Sequence, residues 1–200
     1  MGSGHAAQIL DGKIPRLVLT AVATHSPARR PSLSGVKFFT EPAALLKSGL
    51  VDAVLIATPH PSHAPLALAA LKAGLHVLLE KPIAVHKAEA VRLIAAAKRR
   101  PQQVFGTVFN QRTNPYYRKI RDLVRGGSLG AVRRINWTIT NWFRSEAYYQ
   151  SSAWRATWAG EGGGVLLNQC PHNLDLLQWM TGMPVRVRAH CHFGRYHDIE

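Results

Sequence analysis

Residues 51–82, VDAVLIATPHPSHAPLALAALKAGLHVLLEKP, contain the pattern that decides the fold. Apolar and β-branched residues predict one strand over residues 53–57 and a second over residues 76–79. Between them, the apolar run at residues 64–73 is long enough for a helix. A strand, a helix and a second strand in this order predict a βαβ unit, in which the two strands run parallel.

The same alternation continues on both sides of this stretch. Further strands are predicted at residues 17–23, 36–39 and 104–109, and helices at residues 5–10, 42–48 and 87–99. Strands that alternate with helices form a parallel sheet with both faces covered. We therefore expect an α/β fold whose ligands bind beyond the carboxyl ends of the strands.

The composition is typical of a folded globular protein. The chain has 200 residues, of which 46% are hydrophobic and 8% aromatic, enough for one good domain or two small ones. Its two cysteines, Cys170 and Cys191, lack the paired spacing of a metal or redox site. No apolar run approaches the roughly 20 residues that cross a bilayer, and no secretory leader opens the chain. These features predict a soluble, cytoplasmic protein with no membrane partner.

The net charge is +14, from 25 Lys and Arg against 11 Asp and Glu. Such a charge is compatible with nucleic acid, an anionic membrane surface or an acidic small molecule as partner. Much of it falls on one predicted helix at residues 116–125, in which Tyr116, Ile120, Leu123 and Val124 form an apolar face. No nucleic-acid-binding motif accompanies the charge, so we interpret it as a solvated helix face and expect no nucleic acid as partner.

Polar residues follow the predicted strands, where a ligand would bind. These segments are Thr24-His25-Ser26, Thr58-Pro59-His60-Pro61-Ser62-His63, Glu80-Lys81-Pro82 and Asn110-Gln111-Arg112. Proline removes most of the trans preference of the bond before it, so the Lys81–Pro82 bond is a candidate cis peptide. A lysine before a proline is also common in ordinary turns, so Lys81 alone does not define a site.

A second stretch, residues 161–175 with the sequence EGGGVLLNQCPHNLD, has the features of a substrate site. Three glycines let the backbone approach a ligand, and the apolar residues 165–167 resemble a strand. Asn168, His172 and Asp175 recur at helix-like intervals of four and three, so they can face one pocket. The alternative is a buried helix start, in which Asn168 is a cap and His172 is only hydrogen-bonded.

A metal-dependent hydrolase or lyase is a rival interpretation, because imidazole and thiolate suit zinc. Its ligands would be His190-Cys191-His192, together with His172, Cys170 or His197. Successive residues of a strand point to opposite faces, so Cys191 would face away from the two histidines beside it. We therefore expect no metal site.

Taken together, the motifs resemble the glucose-fructose oxidoreductase, inositol dehydrogenase and rhizopine catabolism family, Gfo/Idh/MocA. The segments that carry the resemblance are ATPHPSH, AGLHVLLEKPIAVH, FNQRTNP and WRATWAGEGGGVLLNQCPHNLD, which span nearly the whole chain. The resemblance implies a Rossmann-type NAD(P)-binding domain at residues 1–110. It also implies an α+β catalytic domain with an open mixed or antiparallel sheet, which starts at residue 111 and runs to residue 200. In the family this sheet often forms an oligomer interface, which predicts a homo-oligomer.

The implied activity is that of an NAD(P)-dependent oxidoreductase. A hydride would pass between the nicotinamide cofactor and a sugar, cyclitol or related polyol. Lys81 would lie between nicotinamide and substrate, where its ammonium can polarise the reacting hydroxyl, and His172 would accept the proton. Asn168 stands where the family has Asp, so it can hydrogen-bond a hydroxyl or fix His172 but carries no charge. The other substrate-side residues would be Asn110, Arg112, Trp154 and Arg155.

The resemblance also assigns the cofactor side. The acidic residue that binds the adenosine ribose is expected after the strand at residues 17–23, where this chain has Thr24. Thr24 and Ser26, with Arg29 and Arg30 nearby, suit the 2′-phosphate of NADP, so we favour NADP over NAD. The remaining cofactor-binding residues would be Gly2, Thr58, Pro59, His60, His63, Glu80 and Lys81.

Both ends of the chain are expected to be truncated. Gly2 matches the last glycine of the family's G-x-G-x-x-G loop, so the first strand and most of that loop would precede residue 1. On the residues alone, Met-Gly-Ser is equally compatible with an artificial leader. A strand is predicted to begin at residues 185–193, and further strands would follow residue 200. A truncated chain would bind cofactor poorly, and suggests an alternative function as an inactive binding or interaction protein.

Overall fold

The computed structural model describes residues 1–25, 35–141, 143–192 and 199. The chain divides into two compact units, Met1–Thr107 and Val108–Glu200. Strands lie in the first unit, and the described part of the second is built from helices and irregular segments. None of the helices in the described ranges has the length and apolar character needed to span a bilayer.

The N-terminal unit alternates short strands with helices, as the sequence predicts. Its strands are β1 (Ala21–Ala23), β2 (Lys37–Phe39), β3 (Ala53–Ile56), β4 (His76–Leu79) and β5 (Phe105–Thr107). Its helices are α1 (Gly2–Leu10), α2 (Pro42–Leu46), α3 (His63–Lys72) and α4 (Lys87–Lys98), with a 3₁₀ turn at His60–Ser62. The predicted α/β fold of the Rossmann type is thereby confirmed.

The strand pairs in the described residues are all parallel. β1 pairs with β2, and a second sheet has the order β3-β4-β5. Leu79 at the end of β4 lies between Ile56 of β3 and Thr107 of β5. The residues that follow these three strands therefore begin at one common edge of the sheet.

The observed β1 is shorter than the strand predicted at residues 17–23. Leu17 and Val18 are 50% and 82% exposed, and only Ala21–Ala23 pair with a neighbouring strand. β-Branched and apolar residues favour extended structure, but a strand forms only where the backbone finds a hydrogen-bonding partner. The apolar pattern thus overestimated the length of this strand.

Helix α3 and the second sheet form the core of the N-terminal unit. Ala64, Ala67, Ala70 and Leu71 are almost fully buried on one side of the helix, at the spacing of a helix face. Alanines at these positions let the helix backbone lie close to β3 and β4. Leu93 of α4 is completely buried in the same cluster, so both helices are anchored by apolar contacts.

The C-terminal unit begins with a 3₁₀ turn at Asn110–Thr113. Its helices are α5 (Pro115–Arg125), α6 (Glu146–Gln150), α7 (Trp158–Glu161), α8 (Val165–Asn168) and α9 (Pro171–Thr181). The Asn114 side chain caps α5 by accepting from the Tyr116 N–H, and a proline follows the cap. α5 packs against α9, whose Leu176 and Met180 are buried.

Two strand predictions in this unit are wrong. Residues 165–167, predicted as strand-like, lie in α8, where the Asn168 and Gln169 N–H groups donate to Gly164 and Val165. Val185 is fully exposed, and residues 185–192 form no strand. The expected open sheet is thus not seen among the described residues of this unit. In residues 165–167 the backbone groups form local helical hydrogen bonds instead of strand pairs. Residues 185–192 have no neighbouring strand within the described ranges with which to form backbone hydrogen bonds.

The predicted apolar face of α5 is also partly wrong. Tyr116 and Ile120 are 77% and 45% exposed. The half-buried side includes Tyr117 and Arg121, four residues apart, with the Arg121 guanidinium 4.7 Å from the centre of the Trp179 ring on α9. A guanidinium can cover an aromatic face as a leucine would, so Arg121 belongs to the packing surface rather than to the solvated one.

Candidate functional site

The edge of the second sheet holds the first group of site residues. His63, at the start of α3, is 1% exposed, with Nδ1 2.7 Å from the Pro82 carbonyl oxygen and Nε2 2.9 Å from that of Thr58. These contacts tie the turn after β3 to the turn after β4. Because its ring lies inside the protein, His63 supports the site by shaping both turns; a direct contact with cofactor stays a prediction.

Glu80 is the buried carboxylate of this edge. It is 5% exposed, its Oε1 lies 2.7 Å from Nε2 of His5 in α1, and its Oε2 accepts from the Lys81 N–H at 3.2 Å. The pair joins the first helix to the end of β4. Sequence reasoning missed His5, because its partner is 75 residues away and no local spacing links the two.

Lys81 follows β4 at the shared edge, and the Lys81–Pro82 bond is cis. The sequence therefore identified the cis candidate correctly. Lys81 is half-buried, whereas Pro82 behind it is buried. The lysine thus stands at the edge where polar groups after β3 and β4 converge. His60, from the 3₁₀ turn, is 6% exposed and its ring centre lies 5.6 Å from that of His63.

The start of α1 fits the pyrophosphate of a dinucleotide. The first turn has no acidic residue, and a Cβ built on Gly4 would meet nothing within 4 Å. A Cβ on Gly2 would touch Ala57 just beyond β3, at an ordinary 3.6 Å, so this helix start lies beside the carboxyl end of the strand. A helix N-terminus combines N–H donors with partial positive charge, which suits phosphate.

Thr24 lies at the carboxyl end of β1, where its N–H donates to the Phe39 carbonyl at 2.9 Å. It occupies the position at which the sequence predicts contact with the adenosine ribose. Ser26, Arg29 and Arg30, which support the preference for NADP, lie outside the described residues.

A second group of site residues lies in the C-terminal unit around Arg112. Its Nε donates to Asp175 Oδ2 at 2.7 Å, and a second guanidinium nitrogen donates to Oδ1, so the pair is bidentate. The hydrogen bond to Asp175 raises the pKa of the Arg112 guanidinium, an effect that desolvation opposes. Both carboxylate oxygens of Asp175 therefore bind Arg112. The helix-like spacing of Asp175 from His172 did not predict this ion pair.

Aromatic rings surround this ion pair. The Arg112 guanidinium carbon lies 5.6 Å from the Phe109 ring centre and 5.8 Å from that of Trp179. Phe109 also meets His172 edge to face, with ring centres 5.9 Å apart. His172, in the first turn of α9, is half-buried beside Phe109. The structure thus brings Arg112, His172 and Asp175 into one cluster, and Asn110 is exposed in the turn before it.

Asn168 has a buried carboxylate as its partner. Its Nδ2 donates to Oε1 of Glu161, and the two side chains belong to residues that are 7% and 3% exposed. Oε2 of Glu161 accepts from the Ala156 N–H at 3.2 Å. Sequence reasoning missed this contact, because Glu161 ends α7 and Asn168 ends α8. The three glycines between these helices interrupt the helical spacing that would have linked the two residues.

Trp154 and Arg155 form a third, separate group in this unit. The Arg155 guanidinium lies between the rings of Tyr148 and Trp154, at 4.1 and 4.7 Å, and donates to the Tyr148 hydroxyl at 2.6 Å. It borders a surface cavity of about 260 Å³. The cavity is lined by Glu146, Tyr149, Gln150, Arg155, Ala156 and Thr157, and by neither Asn168 nor His172.

The rival metal site has no counterpart among the residues that the structure describes. Within them, no three His, Cys, Asp or Glu side chains come together as a group that could hold an ion. Cys170 is half-buried and burial raises the pKa of its thiol, whereas Cys191 is exposed. His197 lies outside the described residues.

Comparison with protein families gives two adjoining matches. Residues 1–107 match an oxidoreductase family with an NAD-binding Rossmann fold, the GFO/IDH/MocA family. Residues 117–200 match the GFO/IDH/MocA C-terminal domain. The two matches fall on the two units in turn.

Individual relatives agree with this. An inositol 2-dehydrogenase of Corynebacterium glutamicum is 26% identical over 188 residues, which are 92% of this chain and 52% of the relative. The chain therefore spans about half the length of the curated relatives it matches.

Solved structures show the same fold. One is the WlbA dehydrogenase of Bordetella pertussis in complex with NADH and UDP-GlcNAcA, with a TM-score of 0.76 and 27% identity over 90% of this chain and 56% of that one. Another is the scyllo-inositol dehydrogenase of Lactobacillus casei with bound NAD(H) and scyllo-inositol. Its TM-score is 0.74, with 27% identity over 90% of this chain and 53% of that one.

Proposed function

The chain belongs to the GFO/IDH/MocA oxidoreductase family, and we propose on this basis that its protein transfers a hydride between NAD or NADP and a sugar, cyclitol or related polyol. The observation that supports this most is the Glu80-Lys81-Pro82 turn. It follows β4 at the common sheet edge and is braced by His5 through Glu80 and by His63 through Pro82. Ligands of parallel sheets bind beyond the carboxyl ends of the strands, so a braced turn at this edge supports a role for Lys81.

The cofactor would be held by residues of the N-terminal unit. We assign its pyrophosphate to the start of α1 at Gly2, its adenosine ribose to Thr24, and its nicotinamide end to the turn formed by Thr58, Pro59 and His60. When bound, the nicotinamide supplies or accepts the hydride. Between the two cofactors we favour NADP, because Thr24 presents a neutral hydroxyl to a 2′-phosphate, which a carboxylate would repel.

Oxidation of an alcohol removes a hydride from carbon and a proton from oxygen, and the carbonyl forms as both bonds break. We assign the proton to His172, since imidazole titrates near neutral pH. The Lys81 ammonium polarises the reacting hydroxyl, and Asn168 hydrogen-bonds the substrate. Arg112 keeps its charge beside Asp175, and we assign it and Asn110 to the substrate side. Trp154 and Arg155 would contact a more distant part of the substrate.

Spectroscopy of the reduced nicotinamide tests this proposal. The purified full-length protein is incubated with each cofactor and a panel of inositols, sugars and sugar acids, and absorbance is followed at about 340 nm, where reduced nicotinamides absorb. Cofactor affinity is measured separately by the fluorescence of NADH and NADPH. We expect turnover with at least one polyol and tighter binding of NADPH than of NADH. Tighter binding of NADH would refute the preference for NADP.

Substitutions test the assigned roles. Lys81→Ala and His172→Ala should each abolish most turnover and leave cofactor affinity within about twofold of the original, because Lys81 would meet the cofactor only at its nicotinamide, while the pyrophosphate and adenosine ribose are assigned to Gly2 and Thr24. Lys87→Ala and His190→Ala, at exposed positions of the same two units, are matched controls and should behave as the unchanged protein. Near-normal activity of either site variant would refute its role.

The alternative function is an inactive binding or interaction protein. Cofactor binding without turnover on any polyol would favour this alternative. Assembly into a homo-oligomer stays a prediction, which light scattering of the purified protein checks.

A further inference from the structure

Glu161 is a buried carboxylate to which the reaction described above assigns no part. We propose that it is a positioning residue for Asn168: it fixes the orientation of the Asn168 amide and places a negative charge behind it. The proposal rests on the proposed function, since it concerns the substrate side of that site. It is carried by the hydrogen bond between two side chains of residues only 3% and 7% exposed.

The local fold holds Glu161 in place. It is the last residue of α7, whose first turn is capped by the Thr157 hydroxyl, which accepts from the Gly160 N–H at 3.0 Å. Gly162, with φ +78°, then reverses the chain. A Cβ at Gly160 would lie 2.1 Å from the Trp154 carbonyl oxygen, so the end of α7 is pressed against the preceding backbone. The backbone that carries the Glu161 carboxylate is therefore closely confined.

The contact determines which atom of the Asn168 amide faces Glu161 and which atom faces away from it. A carboxylate oxygen only accepts, so the nitrogen of the amide must face Glu161, and Oδ1 points away from it. An amide oxygen accepts from a hydroxyl but offers nothing to a carbonyl oxygen. With this orientation, Asn168 Oδ1 can accept a hydrogen bond from the hydroxyl of an alcohol substrate.

The charge of Glu161 has a second consequence. His172 becomes positive when it takes the proton of the hydroxyl, and a nearby buried carboxylate stabilises such a cation. Asn168 and His172 are four residues apart, across a turn in which the Cys170 N–H donates to the Val165 carbonyl at 2.8 Å. Through its contact with Asn168, Glu161 places on the Asn168 side of the site the negative charge that the amide itself lacks.

Both carboxylate oxygens of Glu161 accept hydrogen bonds, so exchanging the carboxylate and the amide between positions 161 and 168 is an informative test. Oε1 accepts from Asn168 and Oε2 from the Ala156 N–H. A glutamine at position 161 has one oxygen for these two donors, so its NH₂ group must face one of them. In Glu161→Gln combined with Asn168→Asp, the new glutamine can accept from Ala156 and donate to the new aspartate. The double variant thus restores the hydrogen bonds at both of these positions and the single negative charge.

The test is the activity and pH profile of these variants. Glu161→Gln should lower kcat/KM with the best polyol by about tenfold or more and displace its pH profile, as loss of a charged hydrogen bond requires. Asn168→Asp alone, with two carboxylates in contact, should be at least as impaired. The double variant should recover to within about threefold of the original protein. Asp122→Asn, an exposed carboxylate in the same unit, is the control for loss of charge.

Either of two results would overturn the proposal: Glu161→Gln with kcat/KM within twofold of the original and an unchanged pH profile, or a double variant no better than its worse parent. If Glu161→Gln does not fold, the double variant carries the test alone. A purely structural contact would change stability and leave the pH profile where it was.

A readout that needs no turnover separates this proposal from the proposed function. In ¹H–¹⁵N spectra, the side-chain NH₂ signals of Asn168 are identified by their loss in Asn168→Asp. One of the two protons should exchange slowly with solvent in the original protein and rapidly in Glu161→Ala. Rapid exchange in both would refute the contact even if the enzyme is active. Slow exchange in a protein without any turnover would refute the proposed function and leave the contact standing.

Discussion

The residues of the first two site groups, at the sheet edge and around Arg112, differ in whether their polar atoms are already hydrogen-bonded within the protein. His63 and Glu80 have their side chains bonded inside the N-terminal unit, and Asp175 has both carboxylate oxygens on Arg112. Such residues hold the turns and helices of a site in place, and the predicted contacts of His63 and Glu80 with a cofactor stay predictions. Lys81 and His172 are half-buried, which is the exposure expected of groups that meet a substrate. The family motifs identified residues that are bonded within the protein and residues that are open to a ligand, but the sequence alone could not distinguish the two kinds.

The ion pair of Arg112 leads to a prediction about stability. Arg112→Lys should lower the free energy of unfolding by about 1–3 kcal/mol, because an ammonium cannot replace two parallel hydrogen bonds to Asp175. Urea unfolding followed by tryptophan fluorescence measures this. Arg118→Lys, at an exposed position on the adjoining helix, is the control and should change little. Equal midpoints for both variants would contradict the role of the bidentate pair.

The same pair has a defined pH dependence. The folded state raises the pKa of Arg112, so the stabilisation is fully present at every pH below the unfolded value and is lost only as pH rises through the folded value. The difference in unfolding free energy between the original protein and Arg112→Lys should therefore be constant from about pH 7 to pH 9. A difference that shrinks across this range would contradict the assignment.

The two cysteines should differ in reactivity. Burial raises the pKa of the Cys170 thiol, so at a given pH less of it is thiolate, the form that reacts. Cys191 is exposed. With iodoacetamide at about pH 8, we expect Cys191 to be alkylated first, as measured by peptide mass spectrometry, and the difference should vanish in urea. Faster labelling of Cys170 would show that its environment is not the one described.

At the scale of elements, the end of α7 depends on Gly160. Gly160→Ala would place a Cβ 2.1 Å from a carbonyl oxygen and 2.6 Å from the Cα of Trp154, both of them backbone atoms that cannot step aside cheaply. We expect a loss of about 1–3 kcal/mol in unfolding free energy, measured by thermal unfolding. Because Glu161 adjoins this position, polyol turnover should fall as well.

Gly4→Ala is the matched control for this substitution. It lies in a helix and meets nothing within 4 Å, so the same added methyl should be neutral or stabilising by about 1 kcal/mol. If both variants unfold at the temperature of the original protein, the close approach of α7 to Trp154 is not as described.

Elements that the chain specifies locally were predictable. The βαβ pattern at residues 51–82 fixed β4 to the residue and α3 to within one residue at each end, because apolar periodicity and a terminal glycine act within a few residues. Residues 165–167 were predicted as strand-like and form a helix, because β-branched and leucine-rich runs of this length suit either state. Contacts such as His5 with Glu80 depend on distant packing, which no local spacing encodes.

For the whole molecule, the positions of tryptophan and tyrosine allow the unfolding of the two units to be followed by different signals. All five tryptophans and all five tyrosines lie after residue 107, whereas the buried apolar cluster around α3 and α4 lies before it. Tryptophan fluorescence therefore reports on residues 108–200 alone. Far-UV circular dichroism reports on helices of both units.

This separation allows a reciprocal test of whether each unit has its own core. Leu93→Ala removes a completely buried side chain from the N-terminal cluster and should cost about 2–5 kcal/mol there. We expect part of the circular dichroism transition to move to lower temperature while the tryptophan transition keeps its midpoint. Leu176→Ala, equally buried in α9, should do the opposite and shift the tryptophan transition. If each substitution instead moves both signals together, the chain unfolds as one cooperative body, because the loss of either core then removes the other.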